Sequence, residues 1–128
     1  MLVRISTMPF LLLAFDGAAC AADALAGKNY FTQACAQCHS AEPDDGGGET
    51  GPTLFRLFGQ SAAVADAMFP YSKALKDSKF VWNVETLDRF LADPLTVVPG
   101  TMMPLAIPAK KDRDDVIAYF QSLVGSTK

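Results

Sequence analysis

The chain has a single histidine, His39, which excludes any site built from several imidazoles: a multi-histidine metal centre, or a catalytic triad with an imidazole to spare. It also lacks a positive excess. Eleven Lys and Arg stand against fourteen Asp and Glu, a net charge of -3, so no surface is available to coat a nucleic-acid backbone. No apolar run approaches the roughly 20 residues that a membrane-crossing helix requires. No segment alternates as a strand and no internal repeat is present, so the chain reads as all-α. With 128 residues, half of them hydrophobic, it is expected to form one modest core and not a two-domain enzyme.

The first residues read as an address. Arg4 is the only charge before an apolar stretch over residues 5–15, and Ala19, Cys20 and Ala21 supply the small-x-small pattern of a cleavage site. Residues 1–21 are therefore expected to be a cleaved secretory signal, leaving 22–128 as one mature domain. A retained anchor fits poorly, because the run is short and Asp16 interrupts it. Lipidation of Cys20 fits poorly too, since Gly17 stands where such signals carry Leu. Cleavage removes the odd cysteine and sends two others into an oxidising compartment, the periplasm.

In the mature chain, Asp23 is placed to cap a helix over residues 23–37 that buries Leu25, Phe31 and Ala34. Gly27 inside it costs about 1 kcal/mol in helix propensity, which makes sense if another helix crosses closely there. The Gly-rich stretch between Glu42 and Pro52 reads as a surface loop. Helices are expected over 72–78 and, capped by Asn83, over 84–92 with Leu87, Phe90 and Leu91 on one face and Pro94 as its stop. Residues 99–108 hold three Pro and one Gly yet also Met102, Met103, Leu105 and Ile107, an apolar loop that needs an apolar surface to lie against. Asp112 is placed to cap a last helix in which Val116, Ile117, Phe120, Leu123 and Val124 recur with helical spacing before Gly125.

Cys35-Ala36-Gln37-Cys38-His39 is the spacing at which two thiols add to the vinyl groups of haem while the adjacent imidazole reaches the iron. A zinc site competes but is short of a fourth good ligand, a thioredoxin-like dithiol would want alternating strands and helices, and a plain disulfide leaves the apolar loop unexplained. About 107 residues make a thin core, to which a buried porphyrin would add apolar surface from within. Haem iron takes two axial ligands, and no second histidine exists, so a thioether is the natural partner. Met68, Met102 and Met103 are the mature chain's methionines.

The mature chain resembles the class I cytochromes c from end to end. The likeness rests on Cys35-Ala36-Gln37-Cys38-His39, on Gly51-Pro52-Thr53-Leu54 followed by Leu57-Phe58-Gly59, on Trp82 ahead of Glu85-Thr86-Leu87, on Pro99-Gly100-Thr101-Met102-Met103, and on Asp115-Val116-Ile117-Ala118-Tyr119-Phe120. The resemblance implies four to five helices and Gly/Pro-rich loops around one covalently attached haem c. It implies His39 and Met103 as the iron ligands, Cys35 and Cys38 as the attachment points, the Pro52 carbonyl as acceptor from His39, and Tyr71 and Trp82 as donors to a buried haem propionate. Gly27, Phe31 and Tyr119 match the family's close helix crossing.

Departures from the family are also visible. Phe90 replaces a frequent Tyr near the sulfur, and Gln60 a frequent Arg near the propionates. Ala34, Leu95, Thr96 and Met102 stand where relatives place docking lysines, which predicts a largely apolar docking patch. The function so implied is a soluble, monomeric, periplasmic carrier of single electrons between protein donors and acceptors. It would have no catalytic residue, no nucleic-acid partner and no membrane span. The alternative is a haem subunit of a periplasmic dehydrogenase or oxidase complex, or a weak peroxidase. Mass spectrometry of exported protein is expected to find a chain beginning at residue 22 with one haem added; retention of residues 1–21 would refute the cleavage site.

Overall fold

The computed structural model describes residues 21–43, 45–64 and 66–124. The expected signal segment up to Cys20, together with Asp44 and Gly125, lies outside them. Among the described residues there are five α-helices and no strand, only an isolated bridge between Ser61 and Val81.

Helix α1 spans Ala24–Tyr30, and Asp23 caps it as expected, its carboxylate accepting from the backbone N–H of Leu25 at 2.8 Å and of Ala26 at 3.3 Å. The chain does not continue as one regular helix to residue 37. It widens into a π-helical segment, Phe31–Cys35, in which the Ala36 N–H reaches the Phe31 carbonyl at 2.9 Å. Such wide turns cluster at functional sites because they re-aim the residues that follow, here the Cys35 to His39 motif. Leu25, expected on the buried face, is 67% exposed, because the face that meets the core is that of Gly27 and Phe31.

Helix α2 is Lys73–Asp77, capped by the Ser72 hydroxyl. Helix α3, Val84–Ala92, starts on a capping box in which the Asn83 side chain accepts from the Thr86 N–H and the Thr86 hydroxyl accepts from the Asn83 N–H, each at 2.9 Å. Leu87, Phe90 and Leu91 are buried along it. Pro94 stops α3 but also occupies the first turn of a further short helix, α4, Pro94–Val97, which Asp93 caps through the Thr96 N–H. Helix α5 runs Lys110–Val124, three residues earlier than a cap at Asp112 implies, so Asp112 lies inside the first turn. It does not cap the helix there, though its charge still complements the helix dipole.

The two ends of the domain meet where α1 crosses α5. A Cβ built on Gly27 would stand 1.9 Å from the Asp115 carbonyl oxygen, so only glycine permits the approach. Phe31 then packs against Tyr119 and Phe120, with ring centroids 5.6 and 5.8 Å away. Asp115 adds a polar tie: its carboxylate accepts from Lys111 and from the Asp23 N–H, the latter at 2.8 Å, and these bonds hold it below the usual carboxylate range.

The far end of the apolar loop is anchored in the same way. Ile107 is fully buried and its N–H donates to the Leu91 carbonyl at 2.7 Å. The buried Arg113 guanidinium donates to the carbonyls of Ile107 and Pro108 at 3.0 and 2.8 Å, and to Asp88 at 2.7 Å. One cation on α5 thus joins the loop to α3.

Gly27→Ala sets a propensity gain of about 1 kcal/mol against overpacking that typically costs about 1–3 kcal/mol. Because the clash is with backbone, overpacking is expected to win, lowering the thermal midpoint by several degrees; an unchanged or raised midpoint would contradict the crossing. For Asp115 the folded carboxyl titrates low, so its contribution is complete above the unfolded value near 4 and fades as pH falls through the depressed one. Asp115→Asn is expected to be less stable than the parent at pH 7, with the gap closing in acid. Denaturant titrations at several pH values check this, and a gap that widens in acid would refute it.

Candidate functional site

The end of the π-helical segment turns sharply: the N–H groups of Cys38 and His39 both reach the Cys35 carbonyl, at 3.0 and 2.9 Å. Cys35 is consequently buried while Cys38 is exposed. Burial, and then the neighbouring Cys38, pushes the Cys35 thiol up to about 11, so it is neutral near pH 7.

His39 is held from behind. Its Nδ1 lies 2.9 Å from the Pro52 carbonyl oxygen. A carbonyl has no proton to give, so Nδ1 carries the proton and donates, which leaves the lone pair on Nε2. Burial lowers the imidazole pKa against the opposing pull of that bond, keeping the ring neutral at pH 7, the form that binds a metal.

The loop that supplies Pro52 lies at the surface over most of its length, as expected, and its end is tied to the site. The Gly51 N–H donates to the Cys38 carbonyl at 2.8 Å, and the Leu54 N–H to the Ser40 carbonyl at 2.7 Å. A Cβ on Gly48 would fall 1.9 Å from the Cys38 carbonyl oxygen, and one on Gly51 would fall 2.5 Å from the His39 ring. These two glycines belong to the site. The sequence signal for Gly51 is its place in Gly51-Pro52-Thr53-Leu54; for Gly48 it is only the glycine run, which equally describes an exposed turn.

In front of His39 opens a cavity of about 490 Å³, within the usual range for a cofactor pocket. Cys35, Cys38, His39 and Pro52 line it, as do Met102, Met103, Tyr71 and Trp82, so every residue expected to attach, ligate or hydrogen-bond the haem faces one space. Leu54, Leu57, Leu87, Phe90, Leu91, Val116 and Phe120 supply apolar walls, and no Asp, Glu, Lys or Arg is among the lining residues. Met103 is half-buried against the core, whereas Met102 is 72% exposed. Met68, 91% exposed, does not line the cavity.

The polar groups of the inner wall are held by packing. The Tyr71 hydroxyl accepts from the Asp66 N–H at 3.0 Å and has its own proton left to donate; burial raises its pKa against the opposing pull of that bond. Trp82 is wedged between Phe80 and Phe90, with ring centroids at 4.8 and 5.1 Å. Asp66, overlooked in the sequence, also accepts from the Met68 N–H at 3.0 Å and so shapes the turn that supports Tyr71. Gln60 is exposed and off the cavity wall, while Phe90 lies on it.

The residues fit a haem: two thiols at attachment spacing, one imidazole with a free Nε2, a thioether on the same cavity, and apolar walls. They do not fit zinc, since no group of three or more His, Cys, Asp or Glu converges among the described residues.

Comparison with known proteins points the same way. The family model described as Cytochrome c matches residues 24–124. Cytochrome c of Euglena viridis is 42% identical over 102 residues, covering 79% of this chain and 97% of that protein. The cytochrome cy of Rhodobacter capsulatus is 38% identical over 109 residues, covering 84% of this chain and 53% of that protein. Among solved structures, cytochrome cH from Methylobacterium extorquens superimposes with a TM-score of 0.70 at 38% identity, covering 78% of this chain and 98% of that one. The chain therefore belongs to the cytochrome c family, haem-containing electron carriers with one covalently attached haem c.

Proposed function

We propose that the chain is an exported carrier of single electrons in which Cys35 and Cys38 hold the haem by thioether bonds, and His39 Nε2 and the Met103 sulfur take the two axial positions on its iron. The observation that carries this reading is the His39 tautomer: Nδ1–H is committed to the Pro52 carbonyl, so Nε2 is directed to a cavity that Cys35, Cys38 and Met103 also line. When bound, the haem supplies a one-electron ferric/ferrous couple.

The chain's own residues set how that couple behaves. The Pro52 carbonyl fixes the His39 ring and raises its basicity. Arg113, by gripping Ile107 and Pro108, holds the loop that presents Met103. A soft thioether and an uncharged lining favour the ferrous state, so a raised potential is expected. Tyr71 and Trp82 offer donors to a buried propionate, which would otherwise be costly to desolvate. With His39 and Met103 both holding the iron, no coordination site would be left open for oxygen or peroxide, and no Asp, Glu, Lys or Arg lines the cavity for substrate chemistry. The signal-like residues 1–21 support a periplasmic location for the mature domain, which we read as a monomer. No helix among the described residues is long and apolar enough to cross a membrane.

The ligand assignment is tested by the weak long-wavelength sulfur-to-iron absorption band of the oxidised protein. Met103→Ala is expected to abolish it and lower the reduction potential by on the order of 100 mV, while Met102→Ala keeps the band. A band lost with Met102 and kept without Met103 would reverse the assignment. Haem remaining on the denatured chain tests attachment through Cys35 and Cys38.

A further inference from the structure

Electron exchange requires another molecule to come against the cavity mouth, so the chemistry of that mouth selects the partner. Residues that both line the cavity and reach the surface define it: Gln37 and Cys38 after the π-helical turn, Thr50 on the Gly-rich loop, and Met102, Pro104 and Leu105 on the apolar loop, with half-buried Ala34 beside them. Met102 is 72% exposed and Leu105 39%. All of these but Thr50 lie on two segments, 29–41 and 94–109, that contain no Asp, Glu, Lys or Arg, in a chain that is 20% charged. Charges that adjoin other lining residues are Glu49 beside Thr50, Arg56 beside Leu57, Lys73 and Lys76 beside Ser72 and Leu75, Asp88 and Arg89 on α3, and Asp115 on α5. They are of both signs, and Lys73 is paired with Asp77. The cations at the start of α5 are likewise engaged, Lys110 with Asp114 and Lys111 with Asp115. The charges around the mouth are therefore of mixed sign and form no ring of either sign.

Resting on the haem reading above, we propose that this neutral, apolar mouth docks a redox protein whose own electron-exchange surface is uncharged and apolar. A partner ringed with charge would desolvate it against Met102 and Leu105 with no counter-charge in return, whereas apolar contact gains about 25 cal/mol for each Å² removed from water. A second copy of this chain is the weaker occupant. A handful of mouth side chains falls well short of the roughly 20–30 residues per side of a stable interface and suits the small contacts of transient electron transfer. Recognition by apolar fit also makes association nearly indifferent to salt, since screening acts only on charge.

The test uses the processed holoprotein in voltammetry on gold coated with alkanethiols ending in methyl and hydroxyl, in carboxylate, or in ammonium groups. Electron transfer is expected to be about ten-fold faster on the methyl/hydroxyl surface than on either charged one, changing less than about two-fold between about 10 and about 300 mM salt. Met102→Lys and Leu105→Lys are each expected to cut the rate on the apolar surface by about ten-fold and raise it on carboxylate, with the haem spectrum unchanged. Leu25→Lys, exposed but off the cavity, is expected to change neither. Fastest transfer on a charged surface, a steep salt dependence, or an equal effect from Leu25→Lys would overturn the proposal. So would a concentration-dependent dimer that Met102→Lys abolishes, which would give the face to a second copy. A colourless protein with no wave on any surface would bring down the haem reading itself.

Discussion

Much of the structure serves one hydrogen bond, from His39 Nδ1 to the Pro52 carbonyl. It decides which ring nitrogen keeps its lone pair, and it joins the Cys35 to His39 turn to a loop thirteen residues further on. A lone contact between two loops would be weak, since the net worth of one hydrogen bond is about 1 kcal/mol. Here it is held by its surroundings. Gly51 fills the space where any side chain would strike the imidazole, Gly48 lies against the Cys38 carbonyl, and two further backbone bonds pin the same loop. The ring has nowhere to turn.

A second constraint comes from the other side of the cavity. Met102 and Met103 sit on a loop of irregular backbone, which by itself would wander. Its start is set by α4 and the buried Val98, and its end by Ile107 and by the Arg113 guanidinium, whose donors are shared between that loop and Asp88 on α3. A buried cation is expensive unless its donors are used, so Arg113 specifies the loop's position as well as stabilising it. With helices α1 and α5 locked at Gly27, the walls stand at fixed separation around an apolar space.

Much of this was legible in the sequence because the relevant signals are local. Asp23 and Asn83 were recognisable as caps because a cap needs only a short polar side chain two or three residues before the N–H it serves. The Cys35 to His39 motif was legible because thiol and imidazole spacing along one turn is itself the chemistry. Where the expectation slipped, the cause was also local: nothing in Phe31–Cys35 marks a wide helical turn, and Asp112 competes with a helix that simply starts earlier.

By itself the sequence determined the helical class, the turn that carries two thiols and an imidazole, and the absence of charge from residues 29–41 and 94–109, since each is a property of neighbours along the chain. Only the tertiary structure decided that those two neutral segments border one cavity mouth, that Gly48 and Gly51 buttress His39, that Leu25 faces outward, and that Arg113 holds the methionine loop. Each of these depends on how closely segments far apart in the chain approach once the core has packed. No window of adjacent residues contains that distance.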